Sequence, residues 1–265
     1  MSLIISVFCN EGIVLAGESR TTQTISTRSR ERSFPFSDNA RKLFAAPNGF
    51  GISSCGVASI NGQPIAGYVE RFIASYDYST NHTVRDFANS LIEFFSIPGY
   101  KGLLFFHIAG YDRDPQGIPS TERLFKIVLE TGELKMCTEI SSPNQSGAIW
   151  DGVTEILSRL IKESILPKKT FEAENLEFFD TKSSSIITIP DAFIIPKKGS
   201  TVFSEATISW GLFSLQDAID FARFGIQTTI DAQRFLSTEK TVGGPIEVLV
   251  IRPNGNEWIS RKTLK

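Results

Sequence analysis

The chain has 265 residues and a formal net charge of −2, with 41% hydrophobic and 21% charged residues, as in ordinary globular proteins. The near-neutral balance lacks the basic surface of nucleic-acid binders, so that class of protein is disfavoured. No apolar run approaches the roughly 18 residues of a membrane span, and the N-terminus has no signal-peptide pattern, so we expect a cytoplasmic protein without membrane contact.

Cysteine and histidine usage limits the chemistry further. Cys9, Cys55 and Cys137 are far apart and odd in number, which favours reduced, mostly buried thiols. The two histidines, His82 and His107, form no Cys/His pair at ligand spacing, so a structural zinc site is disfavoured. His107 lies in an apolar run and is interpreted as a packed strand residue, which leaves a Ser-His-Asp hydrolase almost nothing to build with.

The first 56 residues are rich in strand signals. Short β-prone runs at residues 3–8 and 13–16 flank a turn at 10–12, and this pattern predicts a hairpin. Residues 21–39 are polar and are expected to form a loop. Two more strands are predicted within residues 41–56, so this region suggests an antiparallel sheet.

Helical and strand blocks then alternate. A helical face predicts a helix from Ile65, and a capping box at Thr83 opens a second helix that ends before residue 98. Residues 102–140 are predicted to form a strand and a hairpin. A third helix is expected after a polar turn at 141–147, with Trp150 the first of its buried residues, which continue to position 165.

The C-terminal part adds a capped helix and closing strands. Residues 166–205 are irregular and are interpreted as an insertion in a single domain of residues 1–265. Ser214 caps a fourth helix that continues to Ile230, and strands are predicted at 246–251 and 257–261. The order predicts an α+β fold, a four-layer αββα sandwich of two antiparallel sheets flanked by helix pairs, although a two-layer αβ fold also fits.

Six motifs in order resemble the proteasome subunit family of N-terminal nucleophile hydrolases, including the bacterial proteasome-like proteins called Anbu. The similar segments are residues 12–21, residues 41–43 with 53–56, and residues 108–112, 124–132, 145–148 and 242–248. The family fold is the αββα sandwich, which agrees with the pattern above.

The resemblance implies a set of site residues. The family nucleophile, the first residue of the mature chain, falls on Ser2, whose hydroxyl would attack while its own α-amine acts as base once Met1 is removed. Lys42 matches the lysine beside the nucleophile, and Glu18 replaces the aspartate that pairs with it. Arg20 matches a supporting arginine, and Gly56 would offer its N–H to the oxyanion.

Three further positions concern the α-amine. Ser146 and Glu239 match the family's serine and aspartate that hydrogen-bond the amine. Ser146 could equally be a helix N-cap, and Glu239 a solvated loop charge. A further family serine falls on Val242, which departs from the pattern.

The resemblance implies a hydrolase of peptide or amide bonds that needs no metal and no cofactor and that assembles as a homo-oligomer, a ring or a stack. Whether an ATPase partner exists is left open. Two alternatives remain: a non-catalytic assembly subunit of the same family, and a small-molecule amidase of the wider N-terminal nucleophile class. An inert Ser2 in a common Met-Ser start is the plain alternative for the nucleophile.

Overall fold

A computed structural model of the chain describes residues 2–26, 31–79, 83–97, 100–114, 116–141, 145–161, 208–236 and 239–263. The chain divides into two compact units, residues 1–154 with 209–265, and residues 155–208. The predicted insertion at 166–205 lies outside the described residues. Removal of Met1 concerns a residue that is also outside them.

The described part of the chain contains fourteen strands and four α-helices. The strands are β1 (Leu3–Cys9), β2 (Gly12–Gly17), β3 (Thr21–Ser26), β4 (Glu31–Ser37), β5 (Leu43–Ala45), β6 (Gly51–Gly56), β7 (Ser59–Ile60), β8 (Gln63–Pro64), β9 (Leu103–Arg113), β10 (Pro119–Glu130), β11 (Glu133–Glu139), β12 (Gly147–Gly152), β13 (Glu247–Arg252) and β14 (Gly255–Ser260). The helices are α1 (Ile65–Ser75), α2 (Val84–Phe95), α3 (Glu155–Ile161) and α4 (Leu215–Phe235). Among the helices so described, none is long and apolar enough to cross a bilayer.

Two antiparallel five-stranded sheets form the first unit. The first sheet has the order β12-β1-β2-β13-β14, and the second has the order β11-β10-β9-β6-β5. An apolar cluster that includes Leu15 and Ile251 of the first sheet and Ala109 and Leu124 of the second lies between them. The second core joins the second sheet to α1 and α2 through residues such as Phe87. Apolar burial on both faces therefore holds the second sheet in place.

Several predictions from local pattern are confirmed. The opening hairpin is β1 paired antiparallel with β2, with both strands buried along their whole length. The Thr83 hydroxyl accepts a hydrogen bond from the Asp86 N–H at the start of α2. Ser214 and Asp217 form a reciprocal capping box at the start of α4. Each of these signals depends on neighbouring residues alone, which is why the sequence reveals it.

Two local predictions are wrong. Residues 148–152 of the expected third helix lie in β12, which pairs antiparallel with β1, and the helix begins only at Glu155. Pairing with the buried strand β1 outweighs the helical spacing of the apolar residues. The loop expected at residues 21–39 contains a two-stranded ribbon, β3 paired with β4, whose threonines suit a strand.

The predicted four-layer αββα sandwich is also wrong. The structure is mostly β, with 42% strand against 29% helix, and holds two small two-stranded sheets besides the large ones. Among the described helices of the first unit, α4 packs on β1 and β2 of the first sheet. Residues 148–152, which were expected in the third helix, extend the first sheet as part of β12, and this adds strand at the expense of helix. The coarser class, α+β, is compatible with the structure.

Candidate active site

Ser2 lies directly before β1 and is held through its backbone. Its carbonyl accepts a hydrogen bond of 2.7 Å from the Val153 N–H, and the residue is only 7% exposed. Gly152, the last residue of β12, has φ +102°, and a Cβ there would lie 1.8 Å from the Ser2 carbonyl oxygen. Only glycine allows the chain to turn so closely against Ser2. Ser2 is therefore fixed against the end of β12.

The Glu18 carboxylate accepts hydrogen bonds from several parts of the site. Its Oε1 accepts from the Leu3 N–H at 3.3 Å and from the Lys42 ammonium. Its Oε2 accepts from the Arg20 N–H at 2.6 Å and from the Gly243 N–H at 3.1 Å. Glu18 is fully buried. One carboxylate therefore ties together the start of β1, the end of β2 and the segment before β13.

The Lys42 ammonium lies next to the start of β1. It also donates to the Arg20 carbonyl at 2.8 Å, and the residue is 6% exposed. Burial lowers the pKa of Lys42, although the Glu18 carboxylate opposes this change. Because the ammonium and the Leu3 N–H share one acceptor oxygen, the two nitrogens lie within about 6 Å of each other. A positive charge thus stands beside the residue that follows Ser2.

Gly56 lies at the same end of the second sheet as Lys42. It ends β6, two residues after Ser54, whose N–H donates to the Lys42 carbonyl at 2.8 Å. Gly56 has φ +106°, and a Cβ there would lie 2.2 Å from the Leu103 carbonyl oxygen. The position therefore requires glycine for packing against β9, whatever its N–H contributes to a reaction.

Arg20 supports the site from outside. Its guanidinium makes two hydrogen bonds to Asp38, of 2.7 and 2.8 Å, which hold the pKa of that carboxyl below its usual range. It also donates to the Lys240 carbonyl at 3.2 Å and to the Val242 carbonyl at 3.5 Å. Arg20 therefore fixes the segment that carries Gly243 against the end of β2.

The other predicted residues are not brought together with Ser2. Ser146 precedes Gly147, which pairs with Phe8 at the opposite end of β1, roughly 20 Å away at about 3.3 Å per strand residue. Glu239 is exposed, and its Oε1 accepts from the Ser33 N–H of the ribbon at 2.5 Å. Val242 is buried and donates its N–H to Gln233 at 3.0 Å. These positions do not build the polar network around the amine that the resemblance implies.

The structure places at the site several residues that the sequence did not reveal. Gly152 and Val153 hold the Ser2 backbone, and the Gly243 N–H binds Glu18. Asp151 and His107 form a buried pair close by. The short apolar run of residues 148–150, followed by Gly152, was the available signal for a strand that ends in a turn.

No protein-family model matches this chain, and no curated protein matches it either. Across the described ranges, no three His, Cys, Asp or Glu side chains cluster as metal ligands would.

Once Met1 is removed, three groups at this position could take part in a reaction. The Ser2 hydroxyl is a nucleophile, and its α-amine is a base in the same residue. The nearby Lys42 ammonium would favour the neutral form of that amine and would stabilise a developing alkoxide.

Proposed function

We propose that the protein is an N-terminal nucleophile hydrolase that cleaves peptide or amide bonds with Ser2, after Met1 has been removed. The observation that carries the proposal is the buried Lys42–Glu18 ion pair, whose carboxylate also binds the N–H of Leu3, the residue after Ser2. A buried charge pair is costly to form, so its place beside the chain start favours a role in chemistry there.

The reaction would proceed in two steps, acylation of Ser2 and hydrolysis of the resulting ester. The Ser2 hydroxyl attacks the substrate carbonyl carbon, its proton passes to the α-amine, and that proton then leaves with the departing amine. Water, deprotonated by the same α-amine, hydrolyses the resulting ester and restores the hydroxyl. Lys42 stabilises negative charge on the serine oxygen, and the Gly56 N–H is the proposed donor to the oxyanion.

Location and assembly belong to the same proposal. The three cysteines are free, as suits a reducing cytoplasm. The exposed apolar side chains of α4, Phe224 and Phe235, are 51% and 84% exposed and suit burial in a homo-oligomer.

The test begins with the intact mass of the protein purified from cells. We expect a mass that lacks Met1, together with hydrolysis of fluorogenic peptide amides. Ser2→Ala should reduce that activity by roughly a thousandfold or more, because the nucleophile is lost. Ser59→Ala, a change of an exposed serine on β7, is the matched control and should leave activity intact.

Two results would contradict the proposal. Met1 retained on the folded protein, or full activity in Ser2→Ala, would remove Ser2 as the nucleophile. A folded oligomer that retains Met1 and lacks activity would instead support a non-catalytic assembly subunit. Cleavage of small amides but not of peptides would support the amidase alternative.

A further inference from the structure

A chain of four polar side chains crosses between the two five-stranded sheets. The Ser6 hydroxyl on β1 bonds to His107 Nδ1 on β9 at 2.7 Å. His107 Nε2 bonds to Asp151 on β12 at 2.9 Å, and the other carboxylate oxygen accepts from Lys126 on β10 at 2.7 Å. The four residues alternate between the first and second sheets. The four side chains therefore link the two sheets through hydrogen bonds.

The connectivity of this chain is that of a Ser-His-Asp triad, but it does not form a second hydrolytic site. Ser6 and His107 are both fully buried, so a substrate has no access to the hydroxyl. The ring is also reversed, because serine bonds to Nδ1 and aspartate to Nε2, whereas a serine-protease triad uses the opposite nitrogens. A role in holding structure remains.

The protonation states of these four side chains are mutually consistent. Burial lowers the pKa of His107, despite the neighbouring Asp151, so the ring is neutral at pH 7. Burial opposes ionisation of Asp151, but the bonds from His107 and Lys126 more than offset it and lower the pKa of that carboxyl. Ser6 then donates to Nδ1, and Nε2–H donates to the carboxylate. Each hydrogen bond in the chain thus has one donor and one acceptor.

Asp151 stands immediately before the two residues that hold Ser2. In the register of β1 and β12, Ile4 pairs with Asp151 and Leu3 pairs with Gly152. The next residue, Val153, donates its N–H to the Ser2 carbonyl. A side chain anchored in the second sheet therefore fixes the end of β12, and that end in turn fixes the backbone of Ser2.

We propose that Asp151 and His107 are positioning residues for Ser2, which lock the Gly152–Val153 end of β12 against the N-terminal residue. The inference rests on the proposed function, because positioning matters only if Ser2 reacts. In this role the buried histidine acts neither as a base nor as a metal ligand.

The test uses two readouts on the full chain. The first is amide hydrogen exchange at Val153, which needs no catalysis. The second is the rate at which a β-lactone acylates Ser2, followed by intact mass. In Asp151→Asn we expect exchange at Val153 to rise by about tenfold or more, because a charged hydrogen-bond partner is lost. Acylation should slow by roughly ten- to a hundredfold, as for a misplaced nucleophile.

A matched control and a conservative variant complete the design. Glu122 is a half-buried carboxyl paired with Tyr111 and close to Cys9, the residue at the opposite end of β1 from Ser2. Glu122→Gln should change neither readout. His107→Gln keeps one donor and one acceptor and should remain close to the wild type, whereas His107→Phe removes both and should behave like Asp151→Asn.

The outcomes separate the two proposals. Unchanged acylation in Asp151→Asn, or a Val153 amide that stays protected, overturns the positioning role. Equal behaviour of His107→Gln and His107→Phe overturns it as well, because the hydrogen bonds would then contribute nothing. If wild-type Ser2 takes no acyl group but Asp151→Asn still releases Val153, the hydrolase proposal fails and the structural lock between Asp151 and Ser2 stands.

Discussion

Replacement of Glu18 by glutamine should be among the most damaging single-atom changes in the protein. The carboxylate accepts four hydrogen bonds, two at each oxygen, and is fully buried. A glutamine side chain has one acceptor oxygen and one NH₂ group, which would face two donors. In either amide orientation, two of the four donors lose their partner, and the Lys42 ammonium loses its counter-charge.

The size of the effect follows from the burial of this pair. Removal of one partner of a buried ion pair costs about 3–5 kcal/mol, because the other charge is left uncompensated. Lys42→Met removes the charge that needs the partner and should cost less, about 1–3 kcal/mol, since the Leu3, Arg20 and Gly243 N–H groups still satisfy the carboxylate. In the double variant the losses should not add, because the Lys42 ammonium is no longer there to be left unpaired.

Urea unfolding followed by circular dichroism measures these losses as shifts of the midpoint at constant slope. Glu257→Gln, whose side chain is 61% exposed, is the control and should stay within about 0.5 kcal/mol of the wild type. A loss below about 1 kcal/mol in Glu18→Gln would refute the view that this carboxylate organises the site.

Two other predictions concern backbone freedom and pH. Gly56→Ala should cost about 2 kcal/mol or more, because φ is +106° and the new Cβ would collide with the Leu103 carbonyl. Gly67→Ala in α1, where a Cβ meets nothing within 4 Å, should instead stabilise by about 0.4–1 kcal/mol in the same urea assay; equal changes of stability in the two variants would contradict this reasoning. Because the pKa of His107 is lowered from 6.5 in the folded state, its contribution to stability is fully present above that pH and is lost as pH falls towards the native pKa. Below pH 6.5, the free energy of unfolding of the wild type should fall faster than that of His107→Gln, by up to about 1.4 kcal/mol per pH unit, and parallel curves would show that the histidine is not neutral when buried.

The sequence was most informative where structure depends on neighbouring residues. The β1–β2 hairpin follows from two apolar runs around a turn, and α4 follows from the Ser214 capping box and a long apolar face. It was wrong for β12 and for the β3–β4 ribbon, where pairing with a distant or adjoining strand decided the outcome. The apolar spacing around Trp150 fits a helix and a buried strand alike, and only the free edge of β1 selects the strand.

Some residues of the candidate site were indicated by the sequence, and others are revealed only by the tertiary structure. The sequence by itself, through its resemblance to a known family, pointed to Ser2, Glu18 and Lys42, and the structure brings the last two into contact beside the residue that follows Ser2. Only the tertiary structure could show that Ser146 lies at the far end of β1. It alone also shows that Asp151, next to the residues that hold Ser2, is hydrogen-bonded to His107. The register of β12 against β1 and the packing of two sheets bring these residues together, and both are fixed by burial of distant side chains against each other, which no local pattern records.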